Sequence, residues 1–342
     1  MRVFVAGGAG FIGSNFIRHF LRERPESSVV NFDAITYAGN VENLRDVAGD
    51  PRYAFVRGSV ADLDAVRDAM RGCDAVVNFA AESHVDRSIH DATDFIETNV
   101  RGAYNVLTAA RDHAVARVLH ISTDEVYGPA TPDDPRSEDD RFRPHSPYAV
   151  SKAAGDMMCR AFAETYALDV VVARPANNVG PFQYPEKAVP LFITNALEGE
   201  PLPLYGDGLQ LRDRLYVDDS VRALLLLLER GEPGEAYNVQ AGNHRTNLDV
   251  ARAILDLLDK PYDLIRHVED REGHDFCYCM DTTKVRALGW QPDVGYEEAI
   301  ERTVRWYADN RRWWESVRSG DYRRYYERQY AQRLAASKPY AG

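Results

Sequence analysis

Asp124 and Glu125 stand side by side in I-S-T-D-E-V-Y-G (121–128), directly after a run of strand formers. Adjacent carboxylates at the end of a buried strand repel each other and lose hydration, which drives their pKa values apart. One charged and one protonated acid can then divide the work of taking a proton from one carbon and protonating a leaving group. The bland alternative is a pair of acids that caps a loop. Thr123, just before them, adds a hydroxyl able to orient a ligand. Further on, S-P-Y-A-V-S-K places Tyr148 and Lys152 four residues apart, on one face of a predicted helix. By itself such a pair is usually a solvated helix face. Beside a bound redox cofactor, the ammonium would stabilise tyrosinate and lower the phenol pKa toward neutrality, making Tyr148 a base.

The cofactor signal lies at the other end of the chain. V-F-V-A-G-G-A-G-F-I-G-S-N-F (3–16) sets Gly7, Gly10 and Gly13 as G-x-x-G-x-x-G, after a first strand and opening a helix. Glycines there permit a tight turn, close backbone approach to a pyrophosphate and close helix–sheet packing, and the helix N-terminus offers amide donors. A glycine-rich turn with no ligand is the alternative. Asp33 ends the second predicted strand, where a carboxylate bonds the adenosine ribose hydroxyls and repels a 2′-phosphate. With no Arg beside it, NAD is favoured over NADP.

The elements that must position these residues are legible as short apolar runs alternating with amphipathic stretches. Residues 2–7, 29–33, 53–58, 74–80, 117–122 and 169–175 read as buried strands, and 12–23, 62–71, 98–113 and 147–166 as helices. The alternation predicts an α/β fold: a Rossmann-type doubly wound parallel sheet with a smaller C-terminal substrate-binding lobe. The expected organisation is an NAD-binding domain over 1–176 carrying the catalytic residues, a mainly substrate-binding lobe over 177–330 with some segments returning to the sheet, and a tail over 331–342. Within the lobe, helices are expected near 217–230 and 247–258, with Y-N-V-Q-A-G between them and a long final helix from about 296.

Composition narrows the partners. The 342 residues are 45% hydrophobic and carry a net charge of −12, which argues against nucleic acid or an anionic membrane surface. The longest apolar run, A-L-L-L-L-L at 223–228, is too short to span a bilayer, and the first strand at Arg2 leaves no room for a leader. Cys73, Cys159, Cys277 and Cys279 are too few and too scattered for a disulfide framework or a zinc site. A cytoplasmic protein with no metal is expected.

Taken together, these motifs with Y-A-G-N (37–40), F-A-A-E-S-H-V-D-R-S (79–88), N-N-V-G-P-F-Q-Y-P-E-K (177–187), L-Y-G-D-G, R-D-R-L-Y-V-D-D and D-R-E-G-H-D (270–275) resemble the extended short-chain dehydrogenase/reductases. Within that family they are most similar to the dTDP-glucose 4,6-dehydratases, over about residues 1 to 318. The resemblance implies that Tyr148 acts as base on the sugar O4 while C4 gives hydride to NAD. Glu125 then takes the C5 proton, Asp124 protonates the departing C6 hydroxyl, hydride returns from NADH to C6, and a proton returns to C5. The product is a dTDP-4-keto-6-deoxyglucose. The resemblance further implies that Phe11, Ile12, Thr36, Ser59, Val60, Ala80, Ala81, Thr98 and Asn177 join Tyr148 and Lys152 around NAD. It places His84, Thr123, Asn178, Lys187, Tyr205, Arg212, Asn247, Arg271 and His274 around the nucleotide sugar, with Arg212 and Arg271 as pyrophosphate partners.

Several positions depart from the family pattern. Ser59 stands where an acid is usual near the adenine, Val179 where an aromatic is, Arg214 where an aromatic is, Ser220 where His is common and Cys277 where Arg is frequent. They leave the base open: thymine, uracil or another. Helices 98–113 and 147–166 carry enough apolar residues to pack across a two-fold axis, and a homodimer is what the family implies. Two other readings stand beside the dehydratase: a nucleotide-sugar 4-epimerase, against which the adjacent acids count, and a silent NAD-binding module, against which Tyr148 and Lys152 count.

Overall fold

The computed structural model describes residues 1–318 and 320–340. Seven segments rich in β-branched residues form one parallel sheet. They are β1 (Arg2–Ala6), β2 (Ser28–Asp33), β3 (Tyr53–Arg57), β4 (Ala75–Asn78), β5 (Arg117–Ile121), β6 (Val170–Pro175) and β7 (Ala236–Val239). Their spatial order is β7-β6-β5-β4-β1-β2-β3. The order in which successive strands are added reverses between β1 and β4, which opens a crevice at the carboxyl ends of the strands.

Strand period two decides which side chain faces which layer. Val3 and Val5 pack with Phe16, Ile17 and Leu224, beneath the helices Phe11–Glu23 and Val217–Arg230. Phe4 and Ala6 point the other way, to Val66, Val106 and Phe162 of the helices Leu63–Met70, Gly102–Asp112 and Pro147–Tyr166. Both faces are covered, as a parallel sheet requires. A separate core holds the smaller lobe, where the helices Ala188–Glu198, Asn247–Leu257 and Tyr296–Asp309 pack around the paired strands Leu202–Tyr205 and Ile265–Val268.

Four details differ from the sequence reading. The helix predicted at 98–113 opens as a π-helical turn, Ile96–Arg101, before becoming α-helical. That turn aims Asn99 inward, where its amide bonds both backbone groups of Glu82 and the Ser151 hydroxyl. Secondly, helix Val217–Arg230 and β7 belong to the sheet layer, because a leucine-rich face and a strand pairing with β6 bury more apolar surface there. Thirdly, the long terminal helix is three helices, Tyr296–Asp309, Arg311–Val317 and Asp321–Ala335, broken first at Asn310, whose side-chain amide caps the Trp306 carbonyl. Lastly, the expected loose tail from 331 carries the end of that third helix. Tyr330 is buried in the lobe core just before it, and Lys338–Pro339 pairs antiparallel with Arg266 and His267. Residues 341 and 342 lie outside the described residues.

Candidate active site

At the carboxyl ends of the strands a cleft of about 360 Å³ runs between the sheet and the smaller lobe. Its floor is the glycine turn: Gly7, Gly10, Phe11, Ile12 and Gly13 all line it. Gly7 adopts φ +74°, and a Cβ there would sit 2.6 Å from the Ala80 amide nitrogen. At Gly13 a Cβ would fall 2.4 Å from the Gly7 carbonyl oxygen. Only glycine leaves both backbones this close to each other and to a ligand. Gly13→Ala is therefore expected to cost about tenfold or more in NAD affinity. Wild-type NAD content in the purified variant would refute the assignment of this turn.

The acids enter from β5. Thr123 is extended and Asp124–Tyr127 forms a single 3-10 turn, with Asp124 and Glu125 both buried. Thr123 Oγ1 lies 3.1 Å from Asp124 Oδ1. Burial first, and the charge of Glu125 second, raise the Asp124 carboxyl to about 7.

Tyr148 and Lys152 lie in the first turns of helix Pro147–Tyr166, which Ser146 caps at the Ala149 amide with Pro147 in its first turn. Both line the cleft with the acids. The protein's own groups do not lower the phenol pKa; the lowering expected at Tyr148 needs the charge of a bound cofactor beside it. Lys152 Nζ donates to the Ile121 carbonyl of β5 at 2.6 Å, and burial lowers it to about 8. Tyr148 is instead raised, by burial and then by Glu125. Helical spacing put the two side chains on one face, but the nearest strong acceptor for the ammonium is the strand beneath it.

From the lobe side, His84, Asn178, Lys187, Tyr205, Arg212 and Asn247 line the same cleft, as do Arg271 and His274. Tyr205 donates to Asp86 at 2.9 Å, and Arg271 faces Asp86 at 3.6 Å. Lys187 donates to the Ser83 carbonyl, and His84 contacts the Glu186 carbonyl at 3.2 Å. His274 contacts Asp270 at 2.7 Å; burial and Arg271 hold it down to about 4, so it is neutral. Arg212 spreads over the Tyr278 ring at 4.3 Å while donating to the Phe276 and Asp275 carbonyls. Cys277 and Cys279 pack with Ala130, both buried.

Of the residues assigned to the cofactor, Ala81 and Asn177 line the cleft, and the Asn177 Oδ1 has no protein partner. Asp33, Thr36, Ser59, Val60, Ala80 and Thr98 stand outside its walls. Asp33 closes the end of β2 and accepts from the Ala9 and Ile35 amides, each at 2.8 Å. Ala80 backs Gly7, and Thr36 is exposed on the loop beyond Asp33. Ser59 Oγ accepts from the Ala61 amide, and Val60 is buried against Gly102. Thr98 lies on the π-helical turn. The glycine turn, the Asp33 carboxylate at its edge and the unpartnered Asn177 oxygen fit a dinucleotide.

Two further residues escaped the sequence reading. Tyr278 places its hydroxyl 3.5 Å from Glu125 Oε2 and donates to Asp275 Oδ2 at 2.9 Å. Asn99, through Ser151, braces the helix that carries Tyr148, since Ser151 Oγ donates to the Tyr148 carbonyl at 2.7 Å. Neither belongs to a spacing pattern; each acts across more than fifty residues of chain.

A dinucleotide turn, a tyrosine–lysine helix and paired acids opening into one cleft define an enzyme that couples hydride transfer to proton transfer on a single substrate. The chain belongs to the NAD dependent epimerase/dehydratase family, whose sequence profile matches residues 3–239. It is 49% identical to a dTDP-glucose 4,6-dehydratase of Streptomyces niveus, over 94% of this chain and 97% of that one. Among solved structures it resembles a dTDP-glucose 4,6-dehydratase of Streptomyces venezuelae crystallised with NAD, with TM-score 0.90 and 47% identity over 93% of this chain and all of the other. A UDP-glucose 4-epimerase of Thermus thermophilus, also with NAD, shares the fold at TM-score 0.84 and 31% identity, over 91% of this chain and all of the other.

Proposed function

We infer that this protein is an NAD-dependent nucleotide-sugar 4,6-dehydratase, a hydro-lyase that converts dTDP-glucose to dTDP-4-keto-6-deoxyglucose. The observation that carries the reading is the buried Asp124–Glu125 pair in the same cleft as Tyr148. Bound NAD supplies the hydride acceptor for C4, the donor for C6 and a pyridinium charge that favours tyrosinate. Tyr148 removes the O4 proton. The ketone formed at C4 acidifies C5, whose proton Glu125 takes. Asp124 gives its proton to the C6 hydroxyl, which leaves as water. Thr123 holds Asp124 in place, and Arg212 and Arg271 bring guanidinium forks to the diphosphate.

Turnover of dTDP-glucose in deuterated water tests this directly. The expected product is a 4-keto-6-deoxy sugar with deuterium at C5. A C4 epimer without C5 exchange would favour the epimerase reading, and NAD binding without turnover the silent module.

A pH profile follows from Asp124. Its carboxyl is raised to about 7, so the proton it must donate is held below that pH and lost above it. Elimination in single-turnover measurements is expected to fall about tenfold per unit above pH 7. Asp124→Asn should be slow and lack that limb. An unchanged limb in the variant would assign the titration to another group.

We also read the protein as a cytoplasmic homodimer. Tyr104, Val150 and Met157 are 45%, 53% and 62% exposed on the helices Gly102–Asp112 and Pro147–Tyr166, an apolar face suited to a second copy. The four cysteines are free, which suits a reducing compartment. No helix among the described residues is long and apolar enough to cross a membrane. Light scattering on the purified chain would expose a monomer.

A further inference from the structure

Arg214 lies between the two-residue strands Leu211–Arg212 and Leu215–Tyr216 and is only 5% exposed, yet it lines the cleft. A buried guanidinium is costly unless an opposite charge faces it. Among the described residues no carboxylate pairs with this one. The adjacent Asp213 spends its oxygens on the backbone amides of Ala241, Gly242 and Asn243. Arg214 Nε has no protein partner. Burial and the charge of Arg212 bring its pKa down to about 10, the direction expected of a cation lacking its counter-ion.

Its one side-chain hydrogen bond among the described residues is informative. Arg214 Nη2 donates to Asn247 Oδ1 at 2.7 Å. Asn247 is the first residue of helix Asn247–Leu257, held there by the Thr246 cap on the Asp249 amide. With its oxygen held by a guanidinium, the Asn247 amide is fixed in one orientation, its NH₂ group on the side away from Arg214. Asn247 lines the cleft beside Arg212 and Arg271.

We propose that Arg214 is a positioning residue for the substrate diphosphate: it orients the Asn247 amide as a hydrogen-bond donor and adds a third cation to Arg212 and Arg271. The inference rests on the nucleotide-sugar reading above, and it assigns a role to a position where the family pattern has an aromatic. An aromatic there would bring no guanidinium fork and no fixed positive charge. The recognised chemistry is a nucleoside diphosphate, whose two phosphates need more donors than one Arg fork provides.

The test uses the NAD-loaded protein, titrated with dTDP and with thymidine, which lacks the phosphates. Arg214→Gln is expected to weaken dTDP about tenfold or more while thymidine stays within about twofold. KM for dTDP-glucose should rise by more than kcat falls. In an Asn247→Ala background the same substitution should cost less, because the positioned amide is gone. Should Arg214→Gln fail to fold, Arg214→Lys serves instead: it keeps the charge without the fork, and is expected to lose dTDP affinity while keeping thymidine affinity. Unchanged dTDP affinity, or parallel loss of dTDP and thymidine, would overturn the assignment of Arg214. Failure of the wild-type protein to bind dTDP would overturn the nucleotide-sugar reading itself, and this inference with it.

Discussion

Glu125→Gln is expected to keep NAD and to oxidise the substrate at C4, yet to lose C5 exchange. The amide is nearly isosteric with the carboxylate, so the 3-10 turn that carries it and the packing of Val126 and Tyr127 behind it stay in place. What disappears is the base. Loss of a positioned base slows the step it serves by about 10²–10⁴-fold. Two neighbouring groups should feel the change. Tyr148 and Tyr278 both have pKa values raised by Glu125 after burial, so both phenols should titrate lower in the variant. Hydrogen–deuterium exchange at C5, read by NMR on the recovered sugar, separates this from a general loss of activity. Exchange at the wild-type rate would move the base role to another residue.

The second large effect is on stability. Asp156 lies one turn beyond Lys152 on the same helix and takes two hydrogen bonds from Arg174 of β6, at 2.8 and 3.0 Å. Both residues are almost fully buried, and Arg174 also donates to Tyr127 and to the Glu138 carbonyl. Asp156→Ala leaves a guanidinium buried without its charge partner, and such losses cost about 3–5 kcal/mol. Against a total of about 5–15 kcal/mol for a native protein, this is a large fraction. Denaturation midpoints at fixed NAD concentration should show it. Replacing both partners, Asp156→Leu with Arg174→Met, should recover most of the loss, because no charge is then stranded. A single variant as stable as wild type would mean that water or another acid reaches Arg174.

Much of this protein was legible before folding. The glycine turn, the short apolar runs that form the strands, and the Tyr148–Lys152 spacing are local patterns, and local sterics carry them into the structure unchanged. The adjacency of two acids after β5 is likewise plain in the sequence, and burial with the charge of Glu125 raises the Asp124 carboxyl. Even the resemblance rested on short motifs whose members are neighbours in sequence.

The remainder depends on contacts between distant segments. That Lys152 bonds the Ile121 carbonyl follows from the height of one helix over one strand. Tyr278 meets Glu125 across 153 residues, and Arg214 holds Asn247 across 33. Helix Val217–Arg230 returns to the sheet because an exposed leucine face is worth more against β5 and β6 than in the lobe. Polar groups that converge on a cleft have no period of their own, so only the packed chain reveals them.

Hydrophobic spacing and glycine placement thus determined the sheet, the cofactor turn and the identity of the acids, because those properties reside in consecutive residues. Tertiary structure alone decided the partners of Lys152, Glu125 and Arg214, since a hydrogen bond in a buried cleft depends on where two independent segments come to rest.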